Sequence, residues 1–534
     1  MLWGKMRNIL LFISKAESSK LVQAFYIAIF VIFFLVTRIP GLKTDVINPD
    51  GVNWHYRSEQ FIVGLKYHQF DKTFQHYQPG VTLMWISGIP IEFYKQITGI
   101  TSYTVSNFEN FDLVAKLSVV LAQLVLSVLI ISILTSIIGF YKSFLTTCFF
   151  TFEPFFVGNS RLYHMDVLFT LLVFLGIIFA FIGLKKNNII YPLLSGFFIA
   201  LTFLTKSVGI GAAMFVLFYS LAYFISLKQY KKILFYNGLF IISFVFFTFL
   251  LFPALWVKPF YYLSFIFSNA FTVGFVKGHG QIVLGEYTRD AGVGFYPLIL
   301  LVKSSPFILL GCLLALISTF KTIKVFFRNY REKFLNFGSY ISIFYLGYVV
   351  LMTIPAKKVD RYMIVVYPFL AFLAVIGYSK VLGSKKTVKE RAVFWSAGVL
   401  FVVAFWVMPL ITIFPYYFTY TSPLFGTAEN ANKIVAQKPF GVGVDLLKKH
   451  IVSNYGSDST LGFYDTQPMK AVYANSKVFD VGVYGPGSYD LLVLGVNEVI
   501  PDNVSESDKY VFEKGSSIWI NGLEYWRIYV KKAK

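Results

Sequence analysis

The sequence predicts an α-helical polytopic membrane protein of about eleven transmembrane helices, with interfacial helices in the first external loop and a small α/β domain at the C-terminal end. Three observations carry this. Of 534 residues, 56% are hydrophobic and only 14% charged, and mean hydropathy is +0.64, whereas soluble proteins carry about 25% charge. The apolar residues come in runs near the length of about 20 that crosses a bilayer. Beyond residue 415 those runs stop and the charges balance. A single water-soluble core and a disordered charged chain are both excluded.

Taken in order, the runs cover 21–37, 113–138, 142–158, 164–184, 189–204, 207–227, 233–256, 294–320, 336–355, 361–382 and 393–415. The first reads as an uncleaved signal-anchor, because no small-residue cleavage site follows it and Arg38–Pro40 comes next. With the N-terminus inside, the cytoplasmic segments hold twenty Lys and Arg against Glu17, Glu332 and Glu390. That is the bias that orients helical membrane proteins.

Segment 416–534 carries 12 basic and 12 acidic residues, and an odd number of spans places it outside. The formal +21 therefore reports orientation. Nucleic-acid binding is disfavoured, since the basic residues are scattered over short loops rather than gathered on one soluble face. Cys148 and Cys312 both lie in apolar runs and fit neither a disulfide framework nor a zinc spacing.

Two domains follow: a transmembrane domain, 1–415, with external loops at 38–112 and 257–293, and an extracytoplasmic domain, 416–534. The first loop mixes charge with Trp54, Tyr56, Phe61, Tyr67, Trp85, Phe93 and Tyr94, a composition suited to helices in the interface plane. In the tail, β-type runs at 460–464, 491–494 and 517–520 alternate with turn residues around a helical stretch, 446–454.

Ionisable groups at the external ends of spans are costly unless they pair or line a wet cavity. They are Asp50, Glu59, Arg161, His164, Asp166, Lys206, Lys303, Lys357, Lys358, Asp360 and Arg361. Topology gathers them on one side, as two carboxylate centres among cations. That suits a reaction in which a base takes a proton while cations hold a phosphate. Each residue also has a plainer reading. Pro49-Asp50-Gly51 fits an Asx-type turn, Lys206 and Lys303 could snorkel, Arg161 and Asp166 could form a structural ion pair, and His164 alone is more often structural.

A resemblance extends over most of the chain. It is carried by the Asp50 segment, His76-Tyr77-Gln78-Pro79-Gly80-Val81, Arg161-Leu162-Tyr163-His164-Met165-Asp166 and Leu204-Thr205-Lys206. Pro253–Val257, Gly285–Tyr287, Phe295–Pro297 and Leu301–Pro306 continue it, then Lys357-Lys358-Val359-Asp360-Arg361-Tyr362, Pro415–Tyr417 and Ile520–Tyr525. The ordered set resembles the polyprenyl-phosphate-sugar-dependent glycosyltransferases of the GT-C superfamily, in the branch of the protein O-mannosyltransferases and lipid A aminoarabinose transferases.

The resemblance implies a membrane-embedded transferase that moves one sugar from a polyprenyl-phosphate donor, such as dolichyl phosphate mannose, to a hydroxyl of a protein, lipid or glycan. It implies that Asp50 is the base. The family often has an Asp-Glu pair there; this chain has Asp50-Gly51, leaving Glu59 or Asp166 to supply a second carboxylate. Direct attack would invert the anomeric centre. The leaving phosphate calls for fixed cations, with Arg361 first for its planar fork, then Lys303 and Lys206, and Arg161 suspect by resemblance. His76, Tyr77, Gln78 and Tyr362 fall in the expected substrate pocket. No ligand cluster demands a metal, and a divalent-metal requirement stays open.

The rival from another class is a lipid-linked-sugar flippase or secondary transporter, which should show broken helices in two related halves. Nucleotide-driven transport and zinc proteolysis lack their usual motifs.

Overall fold

The computed structural model describes residues 19–186, 188–320, 336–384, 398–502, 504 and 511–532. The residues 1–18 that precede the expected signal-anchor, the basic residues expected on the inside at 321–333 and 385–391, and the start of the 393–415 run lie outside the described residues.

Among the described residues, seven helices are long and apolar enough to cross a membrane: Lys20–Arg38, Phe108–Ile138, Asp166–Lys185, Ser207–Ser226, Tyr230–Leu251, Pro259–Val276 and Asp360–Val381. Shorter apolar helices span Ile190–Thr205, Pro306–Ser318, Phe337–Thr353 and Gly398–Thr412. These are the helices of a multi-pass membrane protein. The helix Asp166–Lys185 is apolar on every face between those two terminal residues, and it is buried along its whole window, as expected of a helix enclosed by others. Tyr230–Leu251, by contrast, exposes Leu234, Phe235, Ile242 and Phe246.

Three expectations need correction. The 142–158 run is two short helices, Phe140–Thr151 and Pro154–Ser160, because proline cannot continue a helix begun before it. The 294–320 run is likewise broken, into Phe295–Lys303 and Pro306–Phe320. The two breaks meet, the buried Glu153 carboxylate accepting from the Ser305 amide and, at 2.8 Å, from its hydroxyl. Finally, the stretch expected as an external loop from 257 opens with the apolar helix Pro259–Phe271. Only then does it form the hairpin β1 (Gln281–Val283) and β2 (Glu286–Thr288).

The first loop supplies the helices Pro49–Lys66 and Val81–Thr98. The Asn48 side chain caps the former by accepting from the Gly51 amide at 2.6 Å, and Pro49 occupies the first turn. Both features favour a helix start, so Asp50 stands in a helical first turn rather than an isolated Asx turn. Gly80, at φ +62, starts the second helix, and a Cβ there would meet the Trp54 ring at 2.1 Å.

The C-terminal domain is a five-stranded mixed sheet in the order β4-β3-β5-β7-β6. Its strands are β3 (Leu461–Phe463), β4 (Val478–Asp480), β5 (Leu491–Gly495), β6 (Phe512–Ile520) and β7 (Leu523–Lys531). The β4-β3-β5 part is parallel and β5-β7-β6 antiparallel. The helix Val444–Tyr455 covers it with Leu447 and Ile451. This core is continuous with Val46, Ile47, Phe108 and Leu162 of the membrane domain.

Two backbone seams fix the domain in place. In one, Ile47 donates to the Gly441 carbonyl at 3.1 Å and Gly443 to that of Asp45 at 2.8 Å. In the other, Leu284 donates to Ile434 at 2.8 Å and Ala436 to Ile282 at 3.0 Å, joining the hairpin to the segment after helix Ala428–Ile434.

Candidate active site

Beneath those seams lies a cavity of about 500 Å³. It is walled by the start of helix Pro49–Lys66, segments 76–78, 164–165 and 357–362, the hairpin approach at His279 and Gln281, and the tail residues Gln437, Lys438, Phe440 and Asp465. Asp50, Lys206, Lys303, Arg361, His76, Tyr77, Gln78 and Tyr362 all line it.

A charged chain runs along one side. The Asp50 carboxylate lies 3.2 and 3.3 Å from the two terminal nitrogens of Arg361 and 3.4 Å from Nε2 of His164. The other ring nitrogen of His164 is 2.9 Å from Asp166, which is paired with Lys206 and lies 3.8 Å from Nε of Arg361. Asp50 and Asp166 thus share the same cations from opposite sides. Their burial separates their roles: the Asp50 side chain is 43% exposed and faces the cavity, whereas Asp166 is 7% exposed and lines an adjoining cavity instead.

Burial alone would raise the Asp50 pKa, but the His164 hydrogen bond and the Arg361 charge hold it well below the usual carboxylate range. Asp50 is therefore ionised and clamped. His76 is pushed down to about 4, by burial first and then by the Arg57 charge, and its Nδ1 accepts the Gln78 amide at 3.1 Å. It is a neutral imidazole in the cavity wall.

Two expected residues lie elsewhere. Glu59 does not line the cavity; its carboxylate is paired with Lys95. Arg161 is buried and does not pair with Asp166. It bonds Asp45 at 2.7 Å and the carbonyls of Thr37, Arg38 and Pro40 at 3.1, 2.9 and 2.8 Å, leaving little of its donor fork for a phosphate. Asp45 also lies 3.4 Å from the buried Lys116, which binds Asp112 at 2.8 Å. This buried network ties the first span to the helix Phe108–Ile138.

The sequence reading missed Arg57, His279, Lys438, Phe440 and Asp465, and gave His164 no role. The tail residues carried no signal, since nothing in a balanced soluble domain marks which loop folds back onto the membrane. Phe440 is the clearest case. Its ring covers the Arg361 guanidinium at 4.5 Å and stacks on Phe418 at 5.0 Å. Its φ of +45 is unusual outside glycine.

A second cavity, of about 310 Å³, adjoins the first and is lined chiefly by Phe169, Ile210, Phe267, Phe271, Phe275, Met352 and Val365. Lys206, Lys357, Tyr77, Gln78 and Tyr362 line both. The apolar path continues into a smaller cavity sharing Phe169, Val208, Tyr348, Met352 and Val365. A charged chamber thus opens onto an apolar groove with two lysines at the mouth. Among the described residues no group of three or more His, Cys, Asp or Glu could hold a metal ion.

No protein-family model matches the chain, and no curated protein sequence does. Solved structures do. ArnT from Cupriavidus metallidurans bound to undecaprenyl phosphate aligns at a TM-score of 0.51 and 12% identity, over 95% of this chain and 97% of that one. Its apo state aligns at 0.50 and 13%, with the same coverage. The oligosaccharyltransferase AglB from Archaeoglobus fulgidus, with an inhibitory peptide and a dolichol-phosphate, aligns at 0.47 and 13%, over 89% and 69%. The ArnT alignments span nearly the whole of both chains, and the protein has the fold of ArnT.

Proposed function

We propose that the protein transfers a single sugar from a polyprenyl-phosphate donor to a hydroxyl acceptor at the external membrane face, with inversion. The observation that carries this is the charged chamber opening onto an apolar groove, with Lys206 and Lys357 lining both. A lipid-linked sugar has that division: a prenyl chain, a phosphate at its end, and a polar sugar beyond. The ArnT structure of the same fold is bound to undecaprenyl phosphate. The N-terminus is cytoplasmic and the C-terminal domain external in this reading, as the twenty inside basic residues require.

Lys206 and Lys357 at the groove mouth, with Arg361, hold the phosphate, and their charge offsets what develops on it as it leaves. Asp50 is the base. The acceptor oxygen forms its bond to C1 as the C1–O bond to phosphate breaks, the acceptor proton passes to Asp50, and polyprenyl phosphate departs. A carboxylate clamped by Arg361 is a poor base. A donor phosphate competing for the arginine fork would loosen that clamp and raise Asp50 basicity only when donor is present. Asp166 keeps Lys206 and His164 in position.

Asp50→Asn tests the assignment. Transfer should fall by at least about a hundredfold, the scale of general-base catalysis, while undecaprenyl phosphate binding and thermal stability stay close to wild type. Turnover at the wild-type rate would remove Asp50 from this role.

A further inference from the structure

The charges of the chamber exceed what one lipid phosphate needs. Six cationic side chains line it, Arg57, Lys206, Lys303, Lys357, Arg361 and Lys438, against three carboxylates, Asp50, Asp360 and Asp465. Arg361 is matched by Asp50, and Lys206 by Asp166. Lys357 stands with Lys206 at the groove mouth. Arg57 lies 4.6 Å from the Trp54 ring.

Lys303 and Lys438 remain, and neither lines the groove. Lys303 is 3% exposed, and its ammonium donates to the Tyr420 carbonyl at 3.1 Å. Lys438 donates to Nε2 of His279 and to the Gly280 carbonyl, both at 2.7 Å. Neither forms an ion pair among the described residues. Asp360 acts on both ammoniums only from a distance, and an ammonium with three donors and no counter-charge in contact is costly to bury; here it faces an open chamber.

The two lysines share one stretch of chain. Gln437, beside Lys438, donates to the Thr419 carbonyl at 2.9 Å, next to the Tyr420 carbonyl that Lys303 binds. Neither Lys303, Lys438 nor His279 lines the apolar groove, so a phosphate anchored at its mouth uses the other cations.

We propose that Lys303 and Lys438 form a second anion site, which receives a carboxylate or phosphate carried by the transferred sugar or by the acceptor. The proposal rests on the donor assignment above and narrows it, since a neutral sugar passed to a neutral hydroxyl would leave these lysines without a partner. Asp360 forms no ion pair with either lysine among the described residues, and one of its carboxylate oxygens accepts the Arg361 amide at 2.7 Å.

The test uses the full chain in nanodiscs saturated with undecaprenyl phosphate, titrated with inorganic phosphate. Wild type should bind phosphate at one site with the lipid still in place. Lys438→Met, which removes the ammonium that bonds His279 and Gly280, should weaken this by about tenfold or more, the effect of losing one charged contact. Lys303→Met should do the same if thermal unfolding shows it folded. Lipid affinity should not change in either variant.

Absence of phosphate binding to the lipid-loaded protein, or binding that Lys438→Met leaves intact, overturns the second site. Failure to bind undecaprenyl phosphate at all would instead overturn the donor assignment. Comparing polyprenyl-phosphate-linked glucuronate with the glucose analogue identifies the source. Tighter binding of the uronate, lost in Lys438→Met, puts the charge on the sugar; equal binding of the two, with phosphate binding retained, puts it on the acceptor.

Discussion

The Phe440 ring lies 4.5 Å from the guanidinium carbon of Arg361, on a residue whose backbone sits at φ +45. The next residue, Gly441, is bonded to Ile47, three positions before Asp50. One turn of the C-terminal domain therefore touches Arg361 and the segment that leads into Asp50, its partner 311 residues away in sequence. The domain is a splint for the site as well as its roof.

Removing the aromatic cover should loosen Arg361 without removing its charge. A partly buried cation–π contact is worth about 1–2 kcal/mol, so Phe440→Leu should lower kcat by roughly five- to thirtyfold. Phe440→Trp should restore most of it, whereas a purely structural residue would not distinguish Leu from Trp. Gly441→Ala should be worse, because its Cβ would meet the Ile47 carbonyl oxygen at 1.9 Å. Steady-state kinetics with a polyprenyl-phosphate sugar, alongside thermal unfolding, separate these outcomes.

Lys206 and Asp166 should behave as a unit. Removing Lys206 alone leaves a carboxylate at 7% exposure short of its closest cation, and an uncompensated buried charge costs about 3–5 kcal/mol. Lys206→Met should therefore unfold at clearly lower temperature. Lys206→Met with Asp166→Asn should recover much of that stability while binding donor as weakly as the single variant. Recovery of donor affinity in the double variant would show that Lys206 acts only on Asp166.

The membrane part of the fold was legible because apolar runs state their own length, and external charges stood out because lipid makes them expensive. Asp50, Lys206 and Arg361 were found that way. What the runs did not reveal was where they break. Glu153–Pro154 and Ser305–Pro306 interrupt apolar segments whose hydropathy barely changes, and the two breaks satisfy each other only in three dimensions. Arg161 and Glu59 sat beside the right motifs, but their partners, Asp45 and Lys95, decide their fate. Lys438 and Phe440 could not be read at all, since their role comes from the seam that folds the tail back.

Arg161 should prove structural. It carries four hydrogen bonds and matches the buried Asp45, so Arg161→Ala should cost about 3–5 kcal/mol by leaving that carboxylate under-compensated. Undecaprenyl phosphate affinity, measured on the folded fraction, should be close to wild type. A large loss of affinity in protein of normal stability would return Arg161 to the phosphate site.

The second anion site should weaken in alkali, for a reason that identifies Lys438. Burial, opposed by Asp360 and reinforced by the charges of Arg361 and Lys357, lowers its pKa to about 8. Its neighbour His279 is down at about 4, through burial and then the Lys438 charge, and so stays neutral across the range. Lys438 is charged below about 8 and neutral above it, so anion binding should be full on the acid side and fall as pH rises through that value. A bound anion favours the ammonium, which moves the midpoint upward. Sulfate is the suitable probe because its charge is fixed over the range, unlike that of phosphate. Lys438→Arg, always protonated, should keep its sulfate affinity to about pH 10, and the same alkaline loss in that variant would assign the titration to another group.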